Sequence, residues 1–237
     1  MTTPIKAIVF DLDGTLVDQE GAERDALVKL YETEIKLDPA PGFRDFLRVW
    51  RTAADDFLQR YLDNKMSFVE QRTMRFEAIY KAFGQECPPS EAGRLQARYA
   101  ELYRQEWRAF EDARPALDAL KAAGFRLAVI TNGDGAQQRA KMVATDLLGH
   151  FENIIASGDV KVAKPDAGIF RHSEKALGLQ PGELAYVGDR LDADVAGAKN
   201  ATWTPIWLDR KSMPGGSGEA GLKVAHSLAD LNELLKA

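Results

Sequence analysis

Two aspartates stand one residue apart, directly after a short apolar run near the start of the chain. The stretch IKAIVFDLDGTLVD (5–18) places Asp11 and Asp13 where a buried strand is expected to end. Side chains at positions i and i+2 of an extended segment point to the same side. Two such carboxylates at contact distance repel each other by roughly 4 kcal/mol at an effective dielectric constant near 20. The pair therefore predicts that a positive group lies beside it.

Three later predicted strands also end in polar residues. In chain order these are Thr131 and Asn132 after the strand 125–130, Lys164 some way after the strand 153–157, and Asp189 and Asp194 after the strand 184–187. In open parallel sheets, ligands bind outside the carboxyl ends of the strands. We therefore expect these side chains to meet the two N-terminal aspartates at one edge of a sheet.

The chemistry that these residue types fit is phosphoryl transfer. Carboxylate oxygens together with water are the ligands that Mg²⁺ prefers, and the ion would offset the repulsion between the acids. The Thr131 hydroxyl, the Lys164 ammonium and the amides of the Asp-Gly-Thr turn would surround a phosphate group. A carboxylate can also act as a nucleophile that takes up a phosphoryl group. The pattern thus indicates a Mg²⁺-assisted reaction at a phosphate.

Two kinds of segment must position these residues. From about residue 18 to residue 110 the pattern is helical, with apolar side chains at helical spacing such as Trp50, Phe57 and Phe76. After Arg114 and Pro115, strands and helices alternate, which predicts an α/β fold with a parallel sheet and helices on both faces. The first strand joins that sheet, so the helical stretch is an insertion. The segment 211–221 is predicted to be a surface loop.

Composition bounds the possible classes of protein. The 237 residues carry a formal charge of −5, which gives no electrostatic signature for binding nucleic acid or an anionic membrane. No apolar stretch approaches the ~20 residues needed to span a bilayer, and no signal peptide is visible. Cys87 is the single cysteine, which fits a reducing cytoplasm. We therefore expect a cytoplasmic protein whose partner is a small molecule.

Four motifs in order carry a family resemblance. They are Asp11-Leu12-Asp13-Gly14-Thr15, Thr131-Asn132, Lys164-Pro165-Asp166, and Gly188-Asp189 with Asp194 five residues on. Together they resemble the haloacid dehalogenase-like hydrolase superfamily, and the match covers about residues 5–15 and 113–210. The resemblance implies a doubly wound, Rossmann-like core formed by residues 1–17 and 112–237. It also implies that residues 18–111 form the family's first type of α-helical cap.

The resemblance implies a role for each motif residue. Asp11 would be the nucleophile, and Asp13 the general acid and base. Mg²⁺ would be bound by the carboxylates of Asp11 and Asp189 and by the backbone carbonyl of Asp13. Phosphate would be bound by Thr131, Asn132 and Lys164, and Lys164 would also steady the nucleophile. Asp194 would orient Lys164 or a metal-bound water.

The residue at position 13 favours one branch of the superfamily. Its phosphatases and phosphomutases have an acid there, whereas its dehalogenases have a tyrosine and its phosphonate-cleaving members an alanine. An alkoxide leaving group needs a proton and a halide does not. The sequence therefore predicts a Mg²⁺-dependent phosphatase of a small phosphate monoester, such as a nucleotide, a sugar phosphate or phosphoglycolate.

Other functions remain open from the sequence. A phosphomutase would use the same chemistry, a 2-haloacid dehalogenase is a further choice, and a binding module could keep the fold without turnover. The segment NGDGAQQ (132–138) opens a helix after a strand, as a dinucleotide fingerprint does, but Gln138 occupies the position of its third glycine. In the helical insertion, Arg72 and Arg75 could bind an anionic group of the substrate, although a solvated or ion-paired role is the simpler prediction.

Overall fold

The computed structural model describes residues 4–211 and 221–235. These residues form two compact units: one contains the chain up to Gln19 and from Arg108 onward, here called the sheet unit, and the other, Glu20–Trp107, is here called the helical unit. Most of the predicted loop 211–221 lies outside the described residues.

The described strands of the sheet unit form one parallel sheet. They are β1 (Ala7–Phe10), β2 (Arg126–Thr131), β3 (Asn153–Ala156), β4 (Leu184–Gly188), β5 (Thr204–Leu208) and β6 (Lys223–Ala225), in the spatial order β3-β2-β1-β4-β5-β6. The strand order reverses beside β1, the position where ligands bind in doubly wound sheets. The fold class predicted from strand and helix alternation is confirmed.

Register aligns the strand ends that carry the motif residues. Phe10 lies opposite Val129 of β2 on one side and Val187 of β4 on the other. The residues that follow these positions therefore leave the sheet at the same edge. Asp11, at the end of β1, donates its backbone N–H to the carbonyl of Val187 at 2.9 Å, which continues the ladder by one residue.

Helices cover both faces of this sheet. Alternate residues of β1 belong to different cores: Ile8 and Phe10 pack in one cluster, and Ala7 and Val9 pack in another. All four are fully buried, as expected for a parallel strand covered on both sides. The helices of the sheet unit are α5 (Ala113–Ala122), α6 (Gly135–Ala144), α7 (Ser157–Val160), α8 (Ala167–Leu177), α9 (Ala196–Asn200) and α10 (Leu231–Leu234), numbered after the four of the helical unit.

The helical unit is a bundle with an aromatic core. Its helices are α1 (Gln19–Thr33), α2 (Phe43–Leu62), α3 (Phe68–Ala82) and α4 (Pro89–Gln105). Trp50 is fully buried, and its ring lies 5.4 Å from that of Phe76 and 4.7 Å from that of Tyr99, measured between centroids. Ser67 and Glu70 form a reciprocal capping box that fixes the start of α3.

Arg75 of α3 is buried in this bundle rather than solvated. Its guanidinium lies over the Trp50 ring, 5.8 Å from the centroid, and donates to Oε1 of Gln71 at 2.5 Å. Burial lowers the pKa of Arg75 from its ordinary value. From the sequence, Arg75 is expected to be solvated or ion-paired. The solvated alternative is wrong, because the side chain is buried against the aromatic core.

Two elements differ from the sequence prediction. The alternation of strands and helices predicts an α-helix after β4, whereas the structure begins this segment with a π-turn over Leu191–Val195, in which the N–H of Val195 donates to the carbonyl of Arg190 at 3.2 Å. The short edge strand β6 was missed because three residues carry too little alternation to be detected. Among the described helices, none combines the length and apolar character needed to cross a bilayer.

Candidate active site

Lys164 lies at the centre of the site, at the edge where the strands end. Its Nζ is 2.6 Å from Oδ1 of Asp11 and 2.6 Å from Oδ1 of Asp194, and it donates to the hydroxyl of Tyr186 at 2.8 Å. Tyr186 in turn donates to the carbonyl of Ile130 at 2.8 Å. The three Nζ protons thus all have acceptors, which compensates for burial of the ammonium group.

The two acids outweigh burial in setting the protonation of Lys164. Burial by itself lowers the pKa of this ammonium, but the charges and hydrogen bonds of Asp11 and Asp194 raise it above its ordinary value. Lys164 is therefore positively charged at neutral pH. It can fix the orientation of Asp11 and also offer positive charge to a phosphoryl group beside it.

Asn132 fixes the loop that delivers Lys164. Its side-chain Nδ2 donates to the carbonyl of Lys164 at 3.0 Å, and its Oδ1 accepts from the N–H of Lys164 at 2.9 Å. This double hydrogen bond ties the end of β2 to a loop 32 residues further along the chain. The sequence suggested phosphate binding for Asn132, and the structure places its amide on the Lys164 backbone. Phosphate binding by Asn132 stays a prediction.

Asp194 is aimed at Lys164 by the π-turn. Its Oδ2 accepts from the backbone N–H of Arg190 at 3.0 Å, while its Oδ1 faces Lys164. The side chain is almost completely buried. A π-turn inserts one extra residue into the helical ladder and so redirects the side chains at its start. Asp194 thus contacts Lys164, and its role in orienting Lys164 or a metal-bound water stays a prediction.

Asp189 follows β4 and faces the Asp-Gly-Thr turn. The hydroxyl of Thr15 donates weakly to its Oδ1 at 3.4 Å. Gly14 has φ of +85°, and a Cβ atom added there would lie 2.5 Å from Oδ2 of Asp189. Only glycine combines this backbone conformation with such a close approach. The turn and the Asp189 carboxylate are thereby packed directly against each other.

Three carboxylates of the described residues form a candidate metal centre. Asp11, Asp189 and Asp194 each offer an oxygen within 4.8 Å of the others. Burial raises the pKa of Asp11 well above its ordinary value; Asp194 and Asp189 add to this, and Lys164 opposes it. Burial, followed by Asp194, raises the pKa of Asp189 to about 6. Carboxylate oxygens are the ligands that Mg²⁺ and Ca²⁺ prefer, and a divalent cation would offset the repulsion among these three acids.

Asp13 turns its carboxylate to a different set of partners. Oδ2 accepts from Nε2 of Gln138 at 2.8 Å, and Oδ1 forms an ion pair with Nζ of Lys141. The side chain of Asp13 keeps 28% of its surface exposed, whereas that of Lys141 is fully buried. The carboxylate of Asp13 is thus not part of the carboxylate cluster.

Thr131 is linked to Asp13 through Gln138. Nε2 of Gln138 also donates to Oγ1 of Thr131 at 2.7 Å. Gln138 and Lys141 were not identified as site residues from the sequence. A signal was nevertheless present: they stand three residues apart on the helix that follows the Thr131 motif, so they share one face of it.

Acids, a hydroxyl and a lysine meet at the carboxyl edge of this doubly wound α/β sheet, the place where such folds bind ligands and carry out chemistry. Comparison with known proteins identifies the family. Residues 5–202 match the haloacid dehalogenase-like hydrolase family. The chain belongs to this family.

Two similar proteins with assigned activities are phosphatases. The chain is 26% identical to a glyceraldehyde 3-phosphate phosphatase of Methanopyrus kandleri, over 87% of this chain and 84% of that protein. It is 28% identical to the N-acylneuraminate-9-phosphatase of Rattus norvegicus, over 98% and 94%. These two relatives are phosphoric monoester hydrolases by name, and this chain is a hydrolase of the same family.

The solved structures agree on the fold. The HAD hydrolase YfnB from Bacillus subtilis, determined with bound magnesium, superposes with a TM-score of 0.81 at 23% identity and covers 99% of this chain and 100% of that one. An L-2-haloacid dehalogenase from Xanthobacter autotrophicus gives a TM-score of 0.76 at 23% identity, covering 98% and 99%. Since phosphatases and dehalogenases share this fold, the fold does not separate them.

Proposed function

We propose that this protein is a Mg²⁺-dependent phosphatase that hydrolyses a small phosphate monoester through an aspartyl-phosphate on Asp11. The observation that carries the proposal is the placement of Asp11: its Oδ1 is fixed by Lys164, and the carboxylates of Asp189 and Asp194 lie beside it. A general acid, Asp13, stands two residues away. The names of the relatives support the same reaction.

In the first step, a carboxylate oxygen of Asp11 attacks phosphorus. The bond from phosphorus to the ester oxygen breaks, and that oxygen takes a proton from Asp13 to leave as an alcohol. Thr131 donates a hydrogen bond to a phosphoryl oxygen, and the ammonium of Lys164 lies beside the phosphoryl group. The charge of Lys164 stabilises the negative charge of the transferring group.

In the second step, a water molecule attacks the phosphorus of the aspartyl-phosphate. Asp13, now deprotonated, accepts a proton from that water, and the bond from phosphorus to Asp11 breaks. The products are inorganic phosphate and the original carboxylate. Asp13 thus acts as an acid first and as a base second, which an acid at this position allows and the tyrosine of the dehalogenases does not.

The residues that would hold Mg²⁺ are the carboxylates of Asp11 and Asp189 and the backbone carbonyl of Asp13, with Asp194 close by. The raised pKa values of Asp11 and Asp189 support a cation at this position. When bound, the ion would neutralise negative charge on the phosphoryl group.

The substrate class is a small phosphate ester, and we propose that the helical unit serves as the cap that selects the leaving group. The named relatives act on glyceraldehyde 3-phosphate, phosphoserine, a pyrimidine nucleotide and a sialic acid phosphate. Their diversity supports the class without choosing one compound. A cytoplasmic location is part of the proposal, since Cys87 is the single cysteine and the chain therefore has no internal disulfide.

The proposal is tested by phosphate release. Purified protein is incubated with triose and sugar phosphates, phosphoserine, pyrimidine mononucleotides and phosphoglycolate, with Mg²⁺ or with a chelator. We expect release from at least one compound that depends on Mg²⁺. Phosphate that migrates to a second hydroxyl without release would identify a mutase. Halide release from a 2-haloacid, with all phosphate esters left intact, would contradict the proposal in favour of a dehalogenase.

Metal binding is expected to weaken on acidification. The raised pKa of Asp189, about 6 against an ordinary value of 3.8, means that the metal-free native state takes up a proton as the pH falls through about 6. The native state then binds more protons than the unfolded chain, so acid stabilises the metal-free protein through this group and opposes metal binding. At a Mg²⁺ concentration about 100-fold above the Kd at pH 7.5 we expect Tm to rise by about 5 °C or more at that pH, and this rise to fall to about half or less at pH 5.

Differential scanning calorimetry with and without Mg²⁺ measures this effect. The control is Asp189→Asn, which removes the titrating group and a ligand together and should show no Mg²⁺ response at either pH. A Mg²⁺-induced rise in Tm of equal size at both pH values would contradict the assignment of Asp189 as a ligand.

A further inference from the structure

We propose that Lys141 and Gln138 are positioning residues that fix the catalytic acid Asp13, and that Gln138 also orients the hydroxyl of Thr131 toward phosphate. The proposal rests on the proposed function, in which Asp13 protonates the leaving oxygen. It assigns a role to two buried polar residues of α6 that none of the four family motifs contains.

Lys141 is the first observation. Its side chain has no exposed surface, although it carries an ammonium group at the centre of a helix that packs on the sheet. Lysine is almost never fully buried unless it is paired, because removing the charge from water is costly. Its Nζ forms an ion pair with Oδ1 of Asp13. A methionine of similar length would fill the same space without that cost, so packing alone does not account for a lysine here.

Gln138 is the second observation. Its Nε2 donates to Oδ2 of Asp13 at 2.8 Å. The same Nε2 donates to Oγ1 of Thr131. The Thr131 oxygen therefore receives a hydrogen bond from the protein, while its own proton makes a long contact, 3.5 Å from Oγ1 to the carbonyl oxygen of Asn132, and can turn to a closer acceptor. A phosphate oxygen is the acceptor that the proposed reaction supplies.

The two contacts together restrain both carboxylate oxygens of Asp13. Oδ1 is held by Lys141 and Oδ2 by Gln138, so rotation about either side-chain bond of Asp13 would break one of them. Both donors come from one face of α6, and the helix begins directly after the Thr131 loop. One rigid element thus sets the positions of the acid and of a phosphate ligand relative to each other, which is what an in-line proton transfer requires.

The test uses two leaving groups. An aryl phosphate with an acidic phenol needs little protonation to leave, whereas an alkyl phosphate needs a proton from Asp13. In Lys141→Met we expect kcat/KM, which reports the first step alone, to fall about 30- to 100-fold for the alkyl phosphate and less than about 5-fold for the aryl phosphate. Lys121→Met, an exposed lysine of α5, is the matched control and should leave both rates unchanged.

A double-mutant cycle checks that the effect passes through the acid. Asp13→Asn should show the same preference for the aryl phosphate, and Lys141→Met combined with Asp13→Asn should be no slower than Asp13→Asn alone. If Lys141→Met does not fold, Lys141→Gln, which removes the charge and keeps a polar group, replaces it in both measurements. Equal losses for the two substrates, or additive losses in the cycle, would overturn the proposal, because a purely structural role predicts them.

A crystal structure of Lys141→Met gives a readout that does not depend on activity. We expect the Asp13 carboxylate to leave the position seen here or to occupy more than one. An unchanged, fully ordered Asp13 would overturn the positioning role. An inactive wild-type protein would instead count against the proposed phosphatase function, and the crystal structure would still decide whether Lys141 positions Asp13.

Discussion

Replacing Asp11 by asparagine is expected to lower kcat by roughly 10⁴-fold or more, because an amide cannot form the aspartyl-phosphate on which the proposed reaction depends. The fold should persist. Lys164 would keep its partners Asp194 and Tyr186, and the substitution removes one of three mutually destabilising carboxylates. We therefore expect Tm without metal to stay the same or to rise.

Phosphate release and intact-protein mass spectrometry measure this prediction. Wild-type enzyme quenched in acid during turnover should carry one added phosphoryl group, and Asp11→Asn should carry none. Asp118→Asn is the matched control, since the side chain of Asp118 is 72% exposed and belongs to α5, away from the acid cluster. Turnover by Asp11→Asn within tenfold of wild type, with Mg²⁺ present, would show that Asp11 is not the nucleophile.

Replacing Lys164 by methionine is expected to damage both activity and stability. Catalysis loses the charge that stabilises the transferring group, and removing one such preorganised donor costs about 10²- to 10³-fold in kcat. The native state is left with Asp11 and Asp194 buried and uncompensated. Breaking a buried pair by removing one partner destabilises a protein by about 3–5 kcal/mol. For a chain of this size that lowers Tm by at least about 6 °C.

The double variant separates the two effects. Lys164→Met with Asp194→Asn removes the uncompensated charge together with the lysine, so Tm should recover part of the loss while kcat stays low. Mg²⁺ should likewise restore more stability in Lys164→Met than in wild type, because the cation would take over part of the charge compensation. A Tm for Lys164→Met equal to that of wild type would show that the ammonium does not balance these acids in the folded protein.

The meeting of the reactive side chains at one edge of the sheet could be predicted from the sequence, because it follows from the strand topology. The apolar runs before Asp11, Thr131 and Asp189 mark buried parallel strands, and parallel strands end at the same edge of a sheet. The convergence of these residues needs no knowledge of side-chain packing. Alternation of strands and helices after Arg114 predicted the parallel sheet for the same reason. The helical character of the inserted segment followed from its apolar spacing.

Local backbone geometry could not be predicted in the same way. The π-turn at Leu191–Val195 differs from an α-turn by a single residue in the hydrogen-bond ladder, and no periodicity resolves that difference. Yet it decides that Asp194 faces Lys164. Asn132 is a similar case: its residue type fits a phosphate ligand, but a loop 32 residues away offers its amide two backbone partners.

The sequence by itself thus determined the fold class, the family resemblance and the set of acids, hydroxyl and lysine that meet at the sheet edge. Only the tertiary structure decided which partner each of these side chains contacts. Asp11 faces Lys164, whereas Asp13, two residues on, faces Lys141 and Gln138. The physical reason is that strand topology fixes where a Cα atom lies, while the direction of a side chain depends on the turn beneath it and on the buried partners that packing brings within hydrogen-bonding distance.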